Sequence, residues 1–212
     1  SLTSISFPDT LTTIGDFSFR YCSRIQSISI PSQVDYIGKS AFWHMTSLQS
    51  ISVDSKNQNF KSSEGVLYND TILNSIPTGK QTNSYTTRSE TTIIEEGSFI
   101  SSQLSSIKIN EGCTTIQNLV FSYSSIQRVE LPSTLSALGS KSFYSCQNLN
   151  TLVFHGTTLP TFGDDVFGDC NEIKSVQVPD TFADTSFGNL NITDYYATPK
   201  EGKKGISKAN VI

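Results

Sequence analysis

One unit of 23 residues, cleanest as IQRVELPSTLSALGSKSFYSCQN from Ile126 to Asn148, recurs along the chain with almost no change in length. The apolar residues that open each copy set the period. Leu2, Ile25 and Leu48 are spaced by 23 and 23 residues, and Leu104, Ile126, Leu149 and Ile173 by 22, 23 and 24. A coil this short cannot bury an apolar face alone, so a fixed period of this size predicts a solenoid in which each coil stacks on its neighbours. The usual arithmetic of residues per domain does not apply to such a body.

Within the unit, Ile5 and Phe7, then Ile28 and Ile30, alternate with polar residues until Pro8 or Pro31 cuts the segment off. Alternation of period two reads as a short strand with one buried face, and proline ends it because it cannot donate to a ladder. Each coil is therefore expected to begin with such a strand. Further on, an aliphatic residue is followed five positions later by Phe: Ile14 and Phe19, Ile37 and Phe42, Ile94 and Phe99, Ile116 and Phe121, Leu138 and Phe143. Phe162 and Phe167 repeat the spacing with Phe in both places. So short a connection predicts a turn or a single helical turn that carries the Phe into an internal column.

Cys22, Cys146 and Cys170 each follow the column Phe by three residues, and Cys113 fills the slot of Leu11, Val34 and Leu135. Cysteine in slots that elsewhere hold Leu or Met45 behaves as a small buried hydrophobe, and four free thiols are expected. The one bridge that coil spacing would permit joins Cys146 to Cys170.

The pattern breaks once. After Leu48 the chain needs 56 residues to reach Leu104, two coils plus about ten more, and residues 54–92 read as a hairpin-like insert. Turns at Glu64-Gly65 and Asn69-Asp70 flank a strand Val66 to Tyr68, and a degenerate strand ends at Pro77. The repeat body is expected over residues 1–192. Residues 193–212 form a cap or tail, in which Tyr195 and Tyr196 fold over the last coil and Lys200, Lys203, Lys204 and Lys208 are solvated. Because the first residue already lies inside a repeat, the chain reads as a segment of something longer.

Charged residues make up 16% of the chain and the net charge is −4, which argues against a nucleic-acid surface built from clustered Lys and Arg. No apolar run approaches the roughly 18 residues of a membrane span. No catalytic or phosphate-binding motif occurs. His44 and His155 read as exposed turn residues, and Asp164, Asp165, Asp169 and Glu172 miss the calcium-loop spacing and read as a solvated edge. No enzyme, metal or cofactor is expected.

The pattern L-x-S-I-x-I-P-x-x-L-x-x-I-G-x-x-x-F-x-x-C resembles the BspA-like leucine-rich repeats over about residues 2 to 192. Glu95 and Gln117 depart from it at the Gly slot, and Met45, Ser102 and Ser124 at the Cys slot. The resemblance implies an α/β leucine-rich-repeat solenoid of about 23-residue coils, with short parallel strands on the concave face and turns or single helical turns on the convex face. It also implies a secreted or cell-surface protein of adhesive function, with a host-cell or matrix protein as partner.

Alternation also fixes which strand positions face outward: Ser4 and Ser6, Ser27 and Ser29, Ser50 and Ser52, Ser106 and Lys108, Arg128 and Glu130, Thr151 and Val153, and Ser175 and Gln177. The bland reading is a tolerated hydroxyl ladder. The functional one is a polar concave face for a protein partner, charged only near Lys108, Arg128 and Glu130, with Arg128 as the first residue to test. Asn69 and Asn191 head glycan-acceptor triplets. Two readings from different classes stand together: an extracellular adhesion module, and a cytoplasmic or cytoskeletal scaffold favoured by free thiols and bound to a cytoskeletal protein.

Overall fold

The computed structural model describes residues 2–197. The alternating segments form a parallel ladder along the concave side. Ser27–Ile30 pairs with Ser50–Val53. Beyond the insert, Ser84–Thr86, Ser106–Lys108, Arg128–Leu131, Thr151–Phe154, Ser175–Pro179 and Asp194–Tyr196 follow one another in chain order as a six-stranded sheet. Register is kept from coil to coil, so Ile107, Val129, Leu152 and Val176 align and all are buried. The first coil is the exception. Its segment from Leu2 to Phe7 joins no ladder, and Leu2 is exposed.

The stretch from each aliphatic residue to its Phe is a turn, as expected, but the aliphatic residue itself ends a strand of two residues, and these strands build a second parallel ladder. Thr13–Ile14 pairs with Tyr36–Ile37. Ile93–Ile94, Thr115–Ile116, Ala137–Leu138 and Thr161–Phe162 pair in succession. Between the ladders the convex side consists of tandem turns, and no helix occurs among the described residues. The physical reason is visible in the dihedrals. Two residues per coil, four apart, adopt the left-handed conformation: Leu119 and Tyr123 (φ 57° each), Lys141 and Ser145 (55° and 53°), Asp165 and Asp169 (56° and 57°). A left-handed residue ends a helical run, and alternate amides are then free to bond the next coil. Leu119 N donates to Ser140 O at 3.1 Å, Phe121 N to Ser142 O at 2.7 Å and Tyr123 N to Tyr144 O at 2.9 Å. All three sides of the coil are thus stitched to the next.

The Phe column runs through the middle. Phe99 and Phe121 have ring centroids 4.8 Å apart, Phe121 and Phe143 4.8 Å, and Phe143 and Phe167 5.4 Å. All four cysteines are free. The Cys146 thiol donates to Phe121 O and the Cys170 thiol to Phe143 O, each at 2.9 Å, so the slot satisfies a carbonyl of the preceding coil as well as filling space.

The insert is an antiparallel meander of Phe60–Ser63, Val66–Asn69 and Ile72–Ser75, turned at Glu64 and Gly65 (φ 51° and 78°). Its last strand joins the second ladder beside Ile93–Ile94. The meander divides the core. Leu67 packs with the early coils, and Val66 and Tyr68 pack with the later ones. The Tyr68 and Tyr85 hydroxyls meet in the interior at 2.7 Å, and burial pushes the Tyr85 hydroxyl far above its ordinary pKa.

At the far end, Ser186–Phe187 and Leu190–Asn191 form a small hairpin that places Phe187, fully buried, against Phe154, Phe162 and Phe167. Phe187 therefore closes the column there. Asp194–Tyr196 extends the concave ladder instead, leaving Tyr195 54% exposed. The lysines expected in a solvated tail lie outside the described residues.

Candidate protein-interaction surface

The outward positions of the six-stranded sheet fall into two straight rows. One runs Ser84, Ser106, Arg128, Thr151, Ser175, and the other Thr86, Lys108, Glu130, Val153, Gln177, Asp194. Ser27, Ser29, Ser50 and Ser52 form the corresponding rows of the two-stranded sheet and are exposed. These hydroxyls do not bond one another. Among them only Ser52 makes a side-chain hydrogen bond, to Ile28 O at 3.3 Å. A hydrogen-bonded serine ladder is therefore not what fills these positions. Val153 also departs from expectation, because it is buried although it faces outward between Glu130 and Gln177.

Where the rows turn charged, the side chains are organised. Arg128 reaches Glu130 two residues along the same strand, with Nη2 2.9 Å and Nε 3.2 Å from Oε1. The other carboxylate oxygen of Glu130 lies 3.9 Å from Nε2 of His155. His155 Nδ1 is 2.7 Å from the hydroxyl of Tyr196, which donates to Phe154 O at 3.1 Å. Burial, with Glu130 and Glu111 nearby, raises the pKa of the Tyr196 hydroxyl. Beside this network lies an open hollow of about 580 Å³, bordered by Lys108, Asn110, Glu111, Ser133 and His155.

Sequence reasoning identified Arg128 and Glu130 but missed His155 and Tyr196. The available signal was that His155 stands where other coils carry proline. Tyr196, 41 residues away, was expected only as part of a cap over the last coil. Neither histidine is a fully exposed turn residue. His155 is half-buried in the network, and His44, left-handed at φ 61°, stacks on Trp43 with centroids 5.8 Å apart. Asp164, Asp165 and Asp169 are exposed on the convex turns, and among the described residues no group of three or more His, Cys, Asp or Glu is arranged to hold a metal ion. Asn191 is exposed, and Asn69 is half-buried at the end of its strand.

The ladders, column and period define a leucine-rich-repeat solenoid. The chain belongs to the family described as the BspA type leucine rich repeat region, whose model matches six copies over residues 1–89 and 71–193. Its fold is similar to a leucine rich cell surface protein from Faecalibacterium prausnitzii, with a TM-score of 0.72 and 21% identity over 92% of this chain and 53% of that one. It is also similar to a leucine-rich repeat protein from Eubacterium ventriosum, with a TM-score of 0.71 and 26% identity over 90% of this chain and 54% of that one. The pneumococcal vaccine antigen PcpA aligns with a TM-score of 0.65 and 23% identity, over 89% of this chain and 52% of that one. The chain thus spans about half the length of these structures. No curated protein matches it.

Proposed function

We propose that the chain is a non-enzymatic recognition module of a cell-surface protein, and that a protein partner docks on the concave face at Arg128, Glu130, His155 and Tyr196. One observation carries this reading. Small hydroxyls occupy most outward positions, whereas here an ion pair, a histidine and a tyrosine interlock beside a hollow large enough for a partner side chain. Arg and Tyr are favoured anchors of protein interfaces, and residues already held by their neighbours lose little entropy on binding. Similarity to a leucine rich cell surface protein supports the surface setting, with adhesion to a host or matrix protein as the function.

Affinity capture from the native source identifies the partner, and its affinity is then compared with that for Arg128→Ala combined with Glu130→Ala. We expect the double variant to bind at least tenfold more weakly, and an unchanged affinity would overturn the assignment of the site. One observation favours the second reading, an intracellular scaffold: four free cysteines suit a reducing compartment. A glycan on Asn191 in protein from the native source supports the surface setting, and recovery in the cytosolic fraction supports the scaffold.

A further inference from the structure

The left-handed slots of the convex turns accept residues of very different kinds. They hold Gly97 and Ser101 in one coil, Lys141 and Ser145 in another, Asp165 and Asp169 in a third. In the first coil they hold Phe17 and Tyr21, at φ 54° and 64°. A side chain in this conformation is sterically disfavoured. Phe17 and Tyr21 are 49% and 59% exposed, as is Tyr123, at 55%, in the second slot of a later coil.

Around them a compact group has formed. The Tyr21 ring lies 6.0 Å from Trp43 and 4.9 Å from His44 of the next coil. The guanidinium of Arg20 sits 3.7 Å from the Trp43 ring centroid, 4.8 Å from that of Tyr21 and 5.8 Å from that of Phe17. Its one hydrogen bond goes to the Tyr21 hydroxyl, at 3.3 Å, and among the described residues no carboxylate pairs with it. A planar cation is thus fixed on a ring stack with most of its donors unused.

We propose that Arg20, Phe17, Tyr21 and Trp43 form a second docking site, on the convex face and separate from the concave one, for an acidic, hydrophobic segment of another protein. The segment supplies a carboxylate to the guanidinium, whose fork geometry suits two parallel N–H···O bonds, and an apolar side chain to the exposed rings. Trp, Tyr and Arg are the residues in which binding energy concentrates at protein interfaces. The net charge of −4 offers an acidic partner no general attraction, so its recognition is local to Arg20. A sugar fits less well. It needs an open ring face, whereas the guanidinium lies over the face of Trp43, and Tyr21 has both Arg20 and His44 against it.

The test is a selection from a random peptide library displayed on phage, with the intact chain as bait and Arg20→Gln as counter-bait. The selected peptides should carry Asp or Glu beside Phe, Leu or Trp. A synthetic copy should bind wild type at least tenfold more tightly than Arg20→Gln or the Phe17→Gly/Tyr21→Ser variant, and should bind Arg128→Ala/Glu130→Ala like wild type. Phe17→Gly and Tyr21→Ser install the residues that the Gly97–Ser101 coil carries in the same slots, so the fold and melting temperature should be retained. Failure to enrich any peptide, enrichment of peptides without an acidic residue, or equal affinity for Arg20→Gln would each overturn the proposal. So would retention of acidic glycans on an array by wild type and not by Arg20→Gln, which would assign the site to a different class of ligand.

Discussion

Phe121 and Phe143 occupy the same position in successive coils, and their rings stack with centroids 4.8 Å apart and planes 11° apart. Both are fully buried. Each is touched by a ring on either side, so the coils cannot collapse over a missing ring without breaking backbone bonds on all three sides. Phe143→Ala should cost about 3–5 kcal/mol. The urea midpoint should fall accordingly, while Phe17→Ala, at an exposed ring, should move it much less. A fall in melting temperature of under about two degrees for Phe143→Ala would contradict this placement of the column.

The glycine that follows the second-ladder strand lies directly against the coil before it. A Cβ on Gly139 would fall on the Gln117 carbonyl carbon and the Asn118 nitrogen, which are backbone atoms that cannot swing aside. Gly15, in the first coil, would meet only the Ser18 hydroxyl oxygen, at 3.4 Å. Gly139→Ala should therefore destabilise by about 1–3 kcal/mol, as an overpacked site does, and Gly15→Ala should be nearly neutral. Paired thermal melts of the two variants decide it.

Glu95 occupies the same glycine slot where the preceding coil is the irregular insert. Burial raises its carboxyl pKa above the ordinary 4.5, although the Asn74 amide donates to it and opposes the shift. The folded state then holds a proton that the unfolded state has already released. Glu95 thus contributes stability below about pH 4.5 that is lost as pH rises through the folded value. Glu95→Gln keeps an acceptor for Asn74 and removes the titration. The variant should be the more stable protein at pH 7, and subtracting its pH–stability curve from that of wild type should give a difference falling from pH 4.5 upward. A flat difference would remove Glu95 as the source.

Burial pushes the Cys113 thiol up to about 11, and a hydrogen bond with Cys170 together with burial pushes Cys146 up as well. Thiolate is the reactive form, so both should resist alkylation at pH 8 in the folded protein, while the half-buried Cys170, whose thiol pKa is lowered by its hydrogen bond with Cys146, should be labelled first. After unfolding, four thiols should be counted with or without reductant. A count of two without reductant would reveal a Cys146–Cys170 bridge.

What could be read in advance follows from how the information is stored. The period, the Phe column and the turn at Glu64-Gly65 were legible because each depends on residue types with strong local meaning. The second ladder was not, since strands of two residues such as Thr115–Ile116 leave no alternation to detect. Nor were the dihedrals of the convex turns, although the turns themselves were expected. Left-handed slots filled by Leu119, Lys141 or Asp165 carry none of the Gly or Asn signal that normally marks such a conformation. At the concave site, outward alternation located Arg128 and Glu130, but their ion pair and its link to Tyr196 depend on which coil end comes to rest beside which.

The interruption of the concave ladder has a mechanical consequence. Between Ser50–Val53 and Ser84–Thr86 no strand pairing crosses, and the hydrogen bonds at the join include Gly79 N to Leu48 O, the Thr78 hydroxyl to Met45 O and, at the meander, Ile51 N to Gly65 O and the Ser62 hydroxyl to Ile51 O, with the exposed Lys39–Glu96 ion pair beside them. Coupling in a stack passes only between neighbours, so this is where tension along its axis meets the least resistance. Pulled from its ends, the chain should yield there first, in two steps of unequal length, with the block that carries Arg128 and Glu130 holding after the aromatic one has parted from it.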